Sequence, residues 1–281
     1  MILNNLAEAK QFLPSVNLTV ANNRFTDFFM RSQTWLVNHV IGTDIETLLE
    51  AAVPANTADQ HADLRRLVQR VIAERAFLKA VPEMDMQLTE AGFAVQNNDN
   101  FTPASSQRVD RLLNTMPSRI VASCDALVLY LMQHSANGYS AWRTSTQFAH
   151  LTQCFMPMVD SYYNFDGSIK WTVEDYYNYI TQLKRGMFET ASPFVSEAEI
   201  SRLVELYRDN DMLEIHRRAI AELEACAVYA AKDDRRRALN AAARARTVMM
   251  EDPDKFPSFK ASKEYANSSV NLNAGKIVNF T

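Results

Sequence analysis

Leu88-Thr89-Glu90-Ala91-Gly92-Phe93-Ala94-Val95 has an echo near the C-terminus of this chain, Leu272-Asn273-Ala274-Gly275-Lys276-Ile277-Val278. Leu88 matches Leu272, Ala91-Gly92 matches Ala274-Gly275, and Val95 matches Val278, with one residue fewer in the second turn. Each copy sets apolar residues around a glycine that can take φ > 0, the pattern of two short strands and a turn. An isolated two-stranded hairpin is marginal in water, so each copy needs a pairing partner: the other copy or another subunit. The spacing predicts hairpins at about 84–96 and about 268–280.

The rest reads mainly as helix, apart from a loop or extended strap up to Asn23, a polar turn over Asn164–Lys170 and a loop bracketed by Pro253 and Pro257. A short leading helix is expected over 4–12, ending at Pro14. Phe25, Phe28, Phe29, Ser32, Leu36 and Val40 then share one face at helical spacing, widened by Trp35, and Gly42 stops that helix. Thr43 and Glu46 have the spacing of a capping box that starts the next one. A long helix follows at about 58–81, with Leu64, Leu67, Val68, Val71 and Ile72 on one side and Pro82 at its end. Ser105 or Ser106 opens another to His134, which Pro117 should kink or split. A helix over 141–163 is expected to bend at Pro157, and a tyrosine-rich one beginning near Thr172 to break at Pro193. Ser196 and Glu199 form a second capping box, with Val195 and Ile200 as its hydrophobic staple, before helices at about 197–209, 211–230 and 233–251.

The fold class is therefore mostly α, a multi-helix bundle. Helix, capping box, helix, long helix and hairpin occur in that order over 24–96 and again, with one extra helix, over 172–281. That order reads as two diverged helical halves, 1–104 and 171–281, each ending in a short β-hairpin, with 105–170 as a connecting helical layer. The competing account is a single bundle without repeats, since helix–cap–helix occurs in any all-α protein.

Few chemistries are written into the residues. The six glycines stand at 42, 92, 138, 167, 186 and 275, too far apart for a phosphate-cradling loop. A net charge of −4 argues against a generic nucleic-acid binder. The three cysteines, Cys124, Cys154 and Cys226, form no CxxC and read as reduced, buried thiols. No basic start with an apolar run marks a secretory signal, and no apolar stretch is long enough for a membrane span. His150 and Cys154 lie at i, i+4, a metal-compatible spacing, but no second ligand pair accompanies them. Glu83/Asp85 and Asp209/Asp211 fall at element ends, where acids serve as caps. No serine sits in a G-x-S-x-G elbow. No catalytic, cofactor or metal residue is assigned, and the chain is not expected to be an enzyme.

Two surfaces suit contacts with other macromolecules. Lys232, Arg235, Arg236, Arg237, Arg244 and Arg246 stud an alanine-rich helix, with Arg237 and Arg244 on one stripe and Arg236 beside Asn240 on the next. That row reads as a solvated face, as an interface for an acidic partner, or as a wall past which DNA moves. Tyr162, Tyr163, Phe165, Trp171, Tyr176, Tyr177, Tyr179 and Phe188 form an aromatic cluster that suits an interface or a core equally.

Leu88 to Val95, then Asn97, Asn100, Pro103-Ala104-Ser105 and Arg108-Val109, resemble an uncharacterised family encoded in bacterial phages and prophages. The block Tyr162-Tyr163-Asn164-Phe165-Asp166-Gly167-Ser168 resembles it too. Such proteins look like virion neck components of the head-completion, or head-to-tail connector, type. The resemblance implies a protein made in the host cytoplasm that docks as a homo-oligomeric ring on the portal vertex. Its partners would be portal and tail or neck proteins, with packaged DNA transiently near and no membrane. On that reading Leu88, Phe93 and Val95 of the first hairpin make contacts, as do Leu272, Ile277, Val278 and Phe280 of the second, with Arg236, Arg237 and Arg244 as the electrostatic face. The alternative is a helical binding or regulatory module of a mobile element that never enters a particle.

Overall fold

A computed structural model describes residues 1–13, 23–51, 58–84, 87–89, 92–94, 106–134, 138–153, 155 and 173–267. The chain is mostly helical. Its described residues fall into two compact units, the first within Met1–Ala149 with 173–175, the second within His150–Pro157 and Tyr176–Thr281.

The first unit opens with α1 (Leu6–Lys10), capped by Asn5, whose side chain accepts the Glu8 N–H at 2.9 Å. Next come α2 (Asn23–Leu36), α3 (Gly42–Glu50), α4 (Ala62–Met84) and α5 (Ser106–His134). Two short helices close it, α6 (Ser140–Arg143) and α7 (Thr146–Leu151), the last turn of α7 counting with the second unit. Helix α4 is central and packs against both α2 and α5. Leu64, Val68, Val71, Ile72, Ala73, Ala76, Phe77 and Ala80 of α4 are all buried, more than one narrow stripe would cover. The face expected from spacing in α2 is the buried one: Phe25, Phe28, Phe29, Ser32, Leu36 and Val40.

Between α2 and α3 the helix widens into a π turn, Val37–Ile41, before Gly42 at φ 75°. Only glycine takes that φ without strain, and a Cβ there would meet Gln147 Oε1 at 3.1 Å. Two distant side chains bond to carbonyls of the turn. Trp142 Nε1 donates to the Val40 carbonyl at 2.8 Å, and Gln147 Nε2 donates to that of Asn38 at 3.0 Å. Trp142 is fully buried. The turn and the α6–α7 corner are thus clamped together across about 100 residues of sequence.

The expected Thr43–Glu46 capping box does not form. Helix α3 has no side-chain cap. Glu46 instead accepts from Gln33 Nε2 at 2.6 Å, a tertiary bond that fixes α3 to α2. Pro117 does not split α5, which runs through it; Thr115 and Ser118 hydroxyls bond to the Leu112 and Thr115 carbonyls beside it. Pro82 lies inside the last turn of α4, where a missing N–H costs one bond at the frayed end. Helix α5, assigned from sequence to a connecting layer, packs on α4 in the first unit.

After α4, β1 (Gln87–Thr89) and β2 (Gly92–Ala94) pair antiparallel, with Gln87 opposite Ala94, Leu88 opposite Phe93 and Thr89 opposite Gly92. These three-residue strands form a two-stranded ribbon with no third strand among the described residues. The C-terminal stretch 268–280, expected as a second hairpin, lies outside the described residues.

The second unit holds α8 (Val173–Val195), α9 (Glu197–Arg208), α10 (Glu214–Ala231) and α11 (Arg235–Glu251). A 3-10 turn (Pro253–Lys255), α12 (Pro257–Lys260) and a last helical turn, α13 (263–267), follow. Helix α8 passes through Pro193 and ends two residues later. Helices α10 and α11 form a tight antiparallel pair. Ala219, Ala225 and Ala227 on one and Ala238, Ala241, Ala242 and Ala245 on the other are buried, and side chains this small let the two backbones approach. Gly186 serves the same purpose between α8 and α10, since a Cβ there would sit 3.0 Å from Ala230 Cβ. Asp234 caps α11 by accepting the Arg237 N–H at 3.1 Å.

Candidate functional site

The residues proposed from sequence as contacts occupy two places. Leu88 and Phe93 are register partners in the β1–β2 ribbon. Val95, Leu272, Ile277, Val278 and Phe280 lie outside the described residues.

Arg236, Arg237 and Arg244 sit on the exposed side of α11. The alanine face turned to α10 fixes the helix's rotation, which leaves the arginines outward. Two of the three are held by carboxylates of their own chain. Arg237 Nε is 3.4 Å from Asp234 Oδ2, and its guanidinium lies 5.6 Å from the Tyr229 ring centre. Arg244 Nη2 is 2.8 Å from Glu222 Oε2 across the helix pair. Arg246 turns back to the Glu264 carbonyl at 3.2 Å. Arg218 and Glu251 add a two-bond bridge at 2.7 and 2.8 Å, and each partner shifts the other toward its charged form. The face is a mixed-sign lattice more than a basic patch, with Arg235 and Arg236 exposed at its N-terminal end. Arginines there oppose the helix dipole, which favours acids in a first turn.

His150 Nδ1 lies 2.9 Å from the Gln153 amide nitrogen, and Cys154 lies outside the described residues. No group of three or more His, Cys, Asp or Glu is placed to hold a metal ion among the described residues. Cys226 is buried, which pushes its thiol up to about 12 and keeps it in the unreactive protonated form. Asp209 is the C-cap residue of α9; Asp85 lies outside the described residues.

Of the aromatic cluster, Phe188 is the residue whose side chain is described. It lines an open cleft of about 760 Å³ with Lys184, Arg185, Gln153 and Glu197. Lys184 Nζ lies 5.9 Å from its ring centre, and Arg185 pairs with Glu189 at 2.6 Å.

Sequence reasoning missed three polar networks, because their partners are distant in the chain. Glu74, at 2% exposure, accepts from Ser123 Oγ at 2.7 Å and Arg119 Nη2 at 3.2 Å, and burial raises its pKa despite them. Around Tyr139, whose hydroxyl is 3.2 Å from His61 Nδ1, burial and a bond to Tyr130 push the phenol up to about 12. Asp59 accepts from the His61 N–H at 2.9 Å and Arg65 Nε at 2.8 Å, and Arg65 also donates to the Leu49 carbonyl.

The third network ties the segment after α11 to α9 and α10. Glu199 is fully buried; its Oε1 accepts from Arg202 Nε at 2.8 Å and its Oε2 from the Phe259 N–H at 2.9 Å. Ser196 fulfils its half of the second capping box, accepting the Glu199 N–H at 3.4 Å, with Val195 and Ile200 buried as the staple. The carboxylate that should have completed the box is spent on the tertiary contact. These networks tie together residues far apart in the chain.

In comparison with known proteins, residues 33–152 match a family of unknown function, DUF6712. The match begins next to the π turn and ends at the α6–α7 corner, the two places that Trp142 and Gln147 clamp together. No curated protein and no solved structure matches the chain.

Proposed function

We propose that this chain is a structural protein of a tailed-phage or prophage particle, a head-completion or head-to-tail connector that docks as a ring on the portal vertex. Its work is docking, and its partners are copies of itself and the portal and tail or neck proteins. The observation that carries this reading is the ribbon Gln87–Thr89/Gly92–Ala94, which has two strands and no third among the described residues. A ribbon of that length contributes little stability alone, and a strand edge can accept a strand from a neighbour. The echo at 272–278 supplies a matching strand from the same sequence. A contact between one copy's first hairpin and another's C-terminal stretch joins two different surfaces, and a head-to-tail contact whose rotation closes makes a ring. The two diverged halves, each ending in a hairpin, belong to this proposal. The resemblance of the 88–109 stretch to phage-encoded proteins gives the setting; the DUF6712 match adds no activity.

Peptide mass spectrometry with copy-number estimation on gradient-purified particles from the source tests it. A copy number close to the portal protein's is the expected result. Absence from mature particles would sink the neck assignment and favour a regulatory module that never enters the virion.

A further inference from the structure

We propose that the cleft between α8 and α9 binds a small oxyanion, a phosphate or a carboxylate, carried on a flat apolar body. Its walls are two helix faces of the second unit. Thr181, Lys184, Arg185 and Phe188 of α8 fall at i, i+3, i+4 and i+7 and share one side of that helix. Glu197 and Ser201 of α9 fall at i and i+4 across from them. The core takes a different side of α8, where Ile180, Leu183, Met187 and Ala191 are buried. The volume of about 760 Å³ suits a small molecule.

The lining is rich in donors that the chain leaves unused. Among the described residues the Lys184 ammonium has no ion pair, and the Thr181 and Ser201 hydroxyls make no hydrogen bond. A helical Ser or Thr can turn its hydroxyl back to the carbonyl four residues before, as Thr47 and Thr247 do. Thr181 and Ser201 do not. Arg185 gives its Nε to Glu189 at 2.6 Å, which leaves its terminal nitrogens open. The Gln153 amide nitrogen, 2.9 Å from His150 Nδ1, keeps a second hydrogen to donate. An oxyanion offers only acceptors, and bonds from cations to it are the strong ones. Glu197, exposed in the first turn of α9, is the carboxylate of the lining and repels an anion at its end of the cleft. The oxyanion therefore belongs on the α8 wall with Lys184 and Arg185. There Lys184 Nζ lies 5.9 Å from the Phe188 ring centre, within cation–π range. An oxyanion paired with that ammonium brings its own apolar body to the ring, and a flat body makes the larger contact.

Backbone ¹H–¹⁵N shifts of the full chain, followed at pH 7 during titration with small probes, test this. The probes are phenyl phosphate, benzoate, inorganic phosphate, acetate and benzyl alcohol. The expected result is saturable shifts at 181–188 and 197–201 with phenyl phosphate or benzoate, with a dissociation constant of about 1 mM or tighter. Phosphate and acetate lack the ring and benzyl alcohol lacks the charge, so each should bind at least about fivefold more weakly. The tighter of the two aryl anions assigns the group as phosphate or carboxylate. Lys184 is exposed and outside every ion pair among the described residues, so Lys184→Gln keeps the fold. It should weaken the aryl anion about fivefold and leave benzyl alcohol unchanged. Glu197→Gln removes the like charge and should tighten the aryl anion. The proposal is overturned by an absence of saturable shifts in these two stretches, or by an unchanged affinity in Lys184→Gln. It is equally overturned if phosphate matches phenyl phosphate and acetate matches benzoate, which would mark attraction to charge alone.

Discussion

Glu224 puts a titratable cost inside α10. Burial pushes its carboxyl up from the ordinary 4.5 to about 7. The folded chain holds that proton more tightly than the unfolded one, so the stabilisation is complete below pH 4.5 and is lost as pH rises through about 7. Glu224→Gln should match wild type at pH 4 and exceed it by about 2–3 kcal/mol at pH 8–9, measured by urea unfolding at each pH. A constant difference across that range would mean the carboxyl is solvated. Trp142 makes the opposite case, a residue whose removal hurts at every pH. Its Nε1 donor satisfies the Val40 carbonyl of the π turn. Trp142→Phe removes that buried donor and should cost about 1–3 kcal/mol. An unchanged urea midpoint would show that the clamp adds nothing.

At the scale of elements, what could be read ahead was local, and what could not was tertiary. The α2 face from Phe25 to Val40 follows from 3.6-residue periodicity, and the structure buries it. The helices after Pro193 lie within a few residues of where their caps and breakers place them. The π turn escaped detection because Trp142 and Gln147, which bond to its Val40 and Asn38 carbonyls, are about a hundred residues away. The first capping box does not form and the second forms by half: Ser196 caps its helix, but Glu46 and Glu199 both use their carboxylates on partners that include another element. The candidate surface was legible only in part. The sequence places Arg237 and Arg244 on one stripe, but not the Asp234 and Glu222 carboxylates that engage them. Gly186 shows how a single small residue sets an element's position. Gly186→Leu must move α8 away from Ala230, and the expected loss is about 1–3 kcal/mol. A neutral result would mean the two helices separate without penalty.

The whole molecule joins two units with separate buried clusters, Phe25, Phe29, Phe77 and Trp142 in one and Leu183, Met187, Leu223 and Met249 in the other. Separate cores predict separate unfolding steps, so the calorimetric enthalpy should exceed the van't Hoff value. Trp142→Phe should then lower one transition and Gly186→Leu the other; a single transition that moves with both would show that the units unfold as one. Assembly is the remaining property of this scale, and it rests on the chain end in the docking proposal. Ile277 and Phe280 lie outside the described residues. The double change Ile277→Asp with Phe280→Asp sets charges where strand pairing needs apolar side chains, and like charges on facing edges block association. Circular dichroism and the thermal transitions should match wild type, while sedimentation of the oligomer, or its recovery with particles, should be lost. An oligomer of unchanged size would remove the C-terminal stretch from the mechanism and leave the β1–β2 ribbon and the α11 arginines to carry the contact. If the cores themselves melt early, the stretch is structural, and its apolar residues pack at home instead of in a neighbour.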